Sequence, residues 1–337
     1  MLFYRKIVIV IILILFSYLL LRLNNKRTQI IKEYSKVPLN LESFTSGIQI
    51  SNTYPQNLIL SQYCIKASLN SAYNVSSRKI DCTPKSDGGI LKTILQRGVR
   101  YLDFEIYSVD NKPIVGYSSS YDAMNTINEA SNNPKTDTFI HLNNVFKFIL
   151  SNKPSHITDP LFIQLRIKSQ IAELYSTIAD YIQQSFGGAL YSKTITGDTL
   201  LSDINNKIII VVDVLRSNSS YSNQNNALKP LVNLETGTSI ITIPTTTLIQ
   251  STKKRININN DGVTITSNEN TPLWTLTYPD LLATSNPDIK TLMNNQCPNI
   301  IQCRFDYDDQ NLSLYEQIFS NQAFVPLGNA YKLVSNW

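Results

Sequence analysis

Hydrophobic and polar positions change rhythm twice along the chain. From Ile7 to Leu23 the residues are apolar except for Ser17, Tyr18 and Arg22. At 1.5 Å per residue this run makes a helix of roughly 25 Å, short for an average bilayer but close to a thin one, with Lys6 and Arg22 placed to snorkel. It predicts a transmembrane anchor over residues 1–23. A cleaved signal peptide fits less well, because the run is followed by Leu23-Asn-Asn-Lys-Arg27 and not by a small-x-small site. Basic groups flank both ends, so charge does not set the orientation. Residues 24–57 are polar, lack a sustained period and predict a tether.

From Leu58 onward, short apolar runs alternate with amphipathic segments, the βαβ pattern of a parallel sheet or barrel. Strands are predicted at Ile59–Ser68, Val99–Tyr107, Pro113–Tyr117, Leu161–Lys168, Lys207–Leu215, Ser239–Ile243 and Asn299–Phe305. Helices are predicted at Gly88–Arg97, behind an Asp87 cap, and at His141–Ser151, where Leu142, Val145, Phe146 and Ile149 form one stripe. A third follows Ile171, Leu174, Tyr175, Ile178 and Ile182 to a stop at Gly187-Gly188. Residues 216–270 break this rhythm with loops rich in Asn, Ser and Thr. They are read as an irregular insertion in a domain spanning 58–337.

Charge changes the picture by its position. The chain carries a net +5, but residues 1–36 alone hold seven basic groups and one acid, which leaves the remaining 301 residues at −1. The part expected to fold therefore lacks a basic footprint, and nucleic acid is not an expected partner. The cysteines fall as two local pairs, Cys64 with Cys82 and Cys297 with Cys303. Short disulfide loops and buried thiols both fit that spacing.

The most informative strand is Val99-Arg-Tyr-Leu-Asp-Phe-Glu-Ile-Tyr107. Alternation puts Leu102, Phe104 and Ile106 on one face and Tyr101, Asp103, Glu105 and Tyr107 on the other. In a barrel the apolar set meets the helices and the two carboxylates lie inside. Such a pair needs a cation, a proton or a wet mouth; a solvated strand face is the plainer alternative.

Gln96–Ile106 with Lys112-Pro-Ile-Val115 resembles the second-strand region of the X domain of phosphatidylinositol-specific phospholipase C. Ile65–Tyr73 is similar to that family's first catalytic segment, and Pro160–Arg166 to the strand that ends in a metal-binding Glu. Ala179–Tyr191, Lys207–Asp213 and Cys303–Phe319 with Phe324-Val-Pro-Leu327 resemble the elements that follow. The resemblance covers about 58–215 and 290–335. It implies an α/β fold, a TIM-type (β/α) barrel of the phospholipase-C-like phosphodiesterase kind, behind a single N-terminal transmembrane helix.

The family's chemistry does not carry over. It uses two histidines, since proton transfer near neutral pH needs a group that titrates there. Those positions hold Leu69 and about Tyr117, and the chain's two histidines, His141 and His156, lie elsewhere. Of the metal positions, Asn70 is kept, Asp103 and Glu105 are present in swapped order, and Arg166 replaces the third carboxylate. Basic phosphate-holding positions are Val211 and Asp213. Asn70, Asp103, Glu105, Arg166 and Asp213 therefore read as a vestigial site without catalytic residues or metal. Arg166 is expected within hydrogen-bonding distance of Asp103 or Glu105, unless a strand shift turns it to solvent.

The resemblance and the anchor together imply a single-pass membrane protein, inactive as an enzyme, that serves as a scaffold or interaction domain. Its expected partners are the membrane, through residues 7–23, and other proteins of a membrane-associated or virion assembly. A virion inner membrane or an endoplasmic-reticulum-derived membrane is the expected location. No cofactor is expected. The alternative is an active metal-dependent phosphodiesterase or phospholipase with Asn70, Asp103 and Glu105 on calcium, acting on a phospholipid or glycerophosphodiester. A module that binds lipid head groups without cleaving them is the third class.

Overall fold

A computed structural model describes Tyr18 and residues 58–74, 79–80, 82, 89–117, 139–153, 158–222, 226–237, 240–244, 255–259, 262–266, 274–279, 285–295, 297–320 and 322–336. The chain divides into units 1–41 and 42–337. In the first only Tyr18, a helical residue, is described, so the expected anchor lies outside the described residues. Among the described residues no helix is long and apolar enough to cross a membrane. The expected tether lies outside them as well.

In the second unit the strands are β1 (Tyr63–Ser68), β2 (Tyr73–Asn74), β3 (Lys79–Ile80), β4 (Tyr101–Val109), β5 (Lys112–Gly116), β6 (Ile140–His141), β7 (Leu161–Ile167), β8 (Ile208–Val212), β9 (Leu234–Glu235) and β10 (Ile240–Pro244). Then follow β11 (Arg255–Asn259), β12 (Gly262–Thr266), β13 (Trp274–Tyr278), β14 (Ile300–Cys303) and β15 (Phe324–Pro326). The helices are α1 (Gly89–Gln96), α2 (Leu142–Asn152), α3 (Ala172–Phe186), α4 (Ile289–Asn295), α5 (Gln310–Ile318) and α6 (Leu327–Ser335).

Eight strands pair in parallel in the order β10-β13-β14-β1-β4-β7-β8-β9. Taken from β1, that is chain order around a curled sheet, closed by β1 against β14 through Ile65↔Ile300 and Ser68↔Cys303. The two edges are the consecutive strands β9 and β10. Among the described residues no ladder joins them, yet Glu235 and Ile240 are five Cα steps apart, at most roughly 17 Å. That is shorter than the roughly ten residues that a parallel crossover needs.

Both faces of this sheet are covered, as a parallel sheet requires. Inside, Tyr63, Ile65, Ala67, Tyr101, Phe162, Ile209, Val211, Trp274, Leu276 and Ile300 pack together. Phe162 is their hub, with ring centroids 5.8 Å from Tyr101, 5.9 Å from Trp274 and 6.3 Å from Phe324. Outside, Leu102, Phe104, Ile106, Ile163, Leu165 and Ile167 meet the buried stripes of the helices, Val145 and Phe146 on α2 and Leu174, Ile178 and Ile182 on α3. The expected α3 stop is present, as a 3-10 turn at Gly187–Ala189.

Two expectations need correction. The stretch 216–270 is less irregular than expected: beside the predicted strand Ser239–Ile243, present as β10, it contains β9 and the β11–β12 hairpin. Strand β13 and helix α4 were not anticipated. In Trp274-Thr-Leu-Thr-Tyr278 the apolar residues are separated by threonines, which suit a strand well but read as polar beside the Asn- and Thr-rich stretch before them. Cys64, Cys82, Cys297 and Cys303 are buried and not joined in disulfides, the second of the two arrangements their spacing allowed.

Candidate active site

The C-terminal ends of the strands gather the polar interior. Alternation along β4 carries Tyr101, Asp103 and Glu105 inward, and the β4–β7 register sets Asp103 against Gln164 and Glu105 against Arg166. Asp103 and Arg166 are both 0% exposed, and Glu105 is 3% exposed. The Arg166 fork donates from Nε to Asp103 Oδ1 and from Nη2 to Asp103 Oδ2, both at 2.9 Å. This is the expected contact, and its bidentate form suits a guanidinium and not an ammonium. Nη2 also donates to Asn70 Oδ1.

Asp103 is saturated. Besides Arg166 it accepts from Gln164 Nε2 at 2.8 Å and from the Asn70 backbone N–H at 2.9 Å. Asn70 meets it from a left-handed turn with φ 47° after β1, a conformation Asn tolerates better than most residues. Tyr101 in turn donates its hydroxyl to Gln164 Oε1. Glu105 Oε1 lies 3.6 Å from both Arg166 Nη1 and Lys168 Nζ. Burial works against the charge of Arg166, but Asp103 and Glu105 outweigh it and raise its pKa above the ordinary arginine value. For Lys168 burial prevails over Glu105, and its pKa falls.

A second pair lies beyond β8. Arg216 donates through Nε to Asp213 Oδ2 and through its backbone N–H to Oδ1 at 3.1 Å, while Thr236 Oγ1 donates to Oδ1 at 2.7 Å. Burial pushes the Asp213 carboxyl up, yet Arg216 and these hydrogen bonds bring it below the usual carboxylate range.

The other expected positions are now placed. Leu69 is buried, its N–H donating to Cys303 O at 2.9 Å, and offers no proton acceptor. Tyr117 follows β5, which pairs Gly116 with Glu105, and stacks on Tyr73 with centroids 4.0 Å apart. Burial raises its pKa; Arg304, Glu105 and Arg166 are the charges near it. Val211 joins the apolar interior. His141 is exposed at the start of α2, and His156 lies outside the described residues. Sequence reading missed Gln164 and Lys168, although period-two reading of Leu161–Lys168 places both on the face of Arg166. It also missed Arg216, Gln302 and Arg304, for which no local pattern gives a signal.

The donor set does not fit calcium, which takes six to eight oxygens. Both Asp103 oxygens and Asn70 Oδ1 are engaged by Arg166 and its neighbours, and Glu105 Oε1 faces two cations. Among the described residues no group of three or more His, Cys, Asp or Glu side chains is arranged to hold a metal ion.

No protein-family model matches the sequence. No curated protein matches it either. Solved structures do. The crystal structure of PLC21 from L. pealei superposes over 83% of this chain with a TM-score of 0.55 at 12% identity. PLC21 from S. officinalis gives 0.56 over 83%, also at 12% identity. The chain has a phospholipase-C-like barrel fold. A phosphatidylinositol-specific phospholipase C from Staphylococcus aureus is matched over 84% of this chain and 95% of its own, at 9% identity and a TM-score of 0.40. At these identities the likeness is one of fold. The barrel spans 37% and 38% of the two PLC21 chains, well under half of their length.

Proposed function

We propose that this phospholipase-C-like barrel is catalytically inactive and serves as a scaffold or interaction domain, held at a membrane by residues 7–23. The observation that carries the proposal is the fork of Arg166 on Asp103, with its Nη1 3.6 Å from Glu105. A fixed guanidinium occupies the space between the carboxylates, where a hydrolytic site of this kind needs an exchangeable cation. Leu69 supports the same reading, because a missing general base lowers turnover by about 10²- to 10⁴-fold.

The test is turnover by the full chain in detergent, with phosphatidylinositol vesicles and with a soluble phosphodiester, each with and without calcium. No hydrolysis above the protein-free rate is expected. Hydrolysis that disappears in Asp103→Ala would overturn the proposal.

A further inference from the structure

Three Asn-x-Ser triplets carry the acceptor pattern for N-glycosylation: Asn74-Val-Ser76, Asn218-Ser-Ser220 and Asn311-Leu-Ser313. A glycan joined to an asparagine Nδ2 is bulky and needs an open surface. The barrel offers none at Asn218, which is 3% exposed in the turn after β8. Its N–H donates to Ile167 O on β7 at 2.6 Å, its carbonyl accepts from Tyr221 N–H at 3.1 Å, and its Oδ1 accepts from Ser220 N–H at 2.9 Å. The residues around it are tied as well. Ser217 Oγ accepts from Ile167 N–H at 2.8 Å, and the buried Tyr221 donates its hydroxyl to Glu235 on β9. Room for a sugar comes only from lifting this turn off β7 and β9.

Asn311, half-buried near the start of α5, uses its own acceptor atom in the fold: Nδ2 donates to Asn286 O at 3.1 Å. Asn286 in turn donates from Nδ2 to Arg304 O at 3.1 Å and to Tyr307 O at 3.0 Å, which shapes the turn between β14 and α5.

The order of synthesis decides whether folding can shield Asn218. The transferase of the secretory pathway acts on a chain that is still extended as it enters the lumen. The barrel closes only when β14 has arrived against β1, and Cys303 follows Asn218 by 85 positions. At about 5–20 residues per second the acceptor waits roughly 4–17 seconds in an open chain. In the lumen it would be modified first and would then have no place in the fold.

We infer that the barrel folds on the cytosolic side of the cell's membranes and never passes through a glycosylating lumen. With the proposed anchor, this also sets the orientation that the flanking charges leave open; without the anchor it still holds.

Translation of the full chain, with a C-terminal epitope tag, in the presence of sealed microsomes tests this. The chain should carry no glycosidase-sensitive mass, and added protease should remove the tag from intact vesicles. A glycosidase-sensitive shift that Asn218→Gln abolishes would overturn the inference, and so would a tag protected until detergent is added. A soluble, unglycosylated chain with an accessible tag would overturn the anchor and uphold the inference. The packing premise is tested apart from topology: Asn218→Arg should lower the melting temperature by at least about 4 °C, whereas Asn144→Arg, on the exposed side of α2, should leave it unchanged. Equal melting of the two variants and the unmodified chain would overturn the inference, because the turn would then accept added bulk. An Asn218→Arg chain that does not fold, beside an Asn144→Arg chain that does, upholds it.

Discussion

Arg166 sits opposite Glu105 in the ladder but bonds Asp103. The register pairs Glu105 with Arg166, yet the two 2.9 Å hydrogen bonds of the guanidinium run diagonally to the residue two positions earlier on β4, leaving Glu105 at 3.6 Å. The diagonal lets one cation serve two carboxylates, and it ties β1 in through Asn70. Without a partner, two carboxylates this deep in the barrel would be penalised heavily.

Arg166→Ala should therefore cost about 3–5 kcal/mol, the usual penalty for removing one partner of a buried pair. Chemical denaturation of the full chain in detergent checks the figure. A loss under about 1 kcal/mol, the range of exposed pairs, would mean that the contact is solvated.

Arg166→Glu restores a third carboxylate beside Asn70, Asp103 and Glu105. We expect a less stable protein without calcium and a melting temperature that rises on adding calcium, since binding to the native state stabilises by mass action. The unmodified chain should not respond. A variant indifferent to millimolar calcium would show that the four oxygen-donating side chains do not converge.

Leu69→His alone should leave phosphatidylinositol hydrolysis at background. A base at residue 69 does not free the carboxylates from Arg166. Turnover in the single variant would overturn the reading that Arg166 keeps the carboxylates from acting.

Asp213 gives a pH dependence with a definite sign. Its pKa in the folded protein lies below the ordinary carboxylate value of about 3.9, so the native state binds its proton less readily than the unfolded chain. The stability it contributes is complete above that ordinary value and is lost as pH falls through it toward the lower folded value. Asp213→Asn should flatten the acid limb of stability below about pH 4 and lower stability at neutral pH. An acid limb as steep as that of the unmodified protein would assign the dependence to other carboxylates.

Much of the barrel was legible because burial on both faces leaves long apolar runs. Leu161–Ile167 and Ile208–Val212 can hardly be anything but inner strands, and the α3 stripe from Leu174 to Ile182 shows its period plainly. Where strands shorten to the two residues of β9, or alternate with threonine as in β13, no pattern stands above the polar background. The site divides the same way. Asp103, Glu105 and Arg166 lie at period-two positions on recognisable strands. Arg216 reaches the mouth only because the turn after β8 folds back on Asp213, and Gln302 only because β14 closes on β1, relationships between parts of the chain far apart in sequence.

That closure has a consequence for how the molecule is made. Ile65 pairs with Ile300, and the hydroxyl of Tyr315 accepts the N–H of Ala67 at 2.7 Å, across 248 positions of chain. Such contacts form late, because the entropy of closing so long a loop is lost before the contact returns anything. On the ribosome β1 emerges first and waits for β14, its row of amide and carbonyl groups uncovered through most of synthesis. At about 5–20 residues per second that wait is on the order of ten seconds or more. Through it, Tyr63–Ser68 is an unpaired apolar edge, open to any other strand that meets it first.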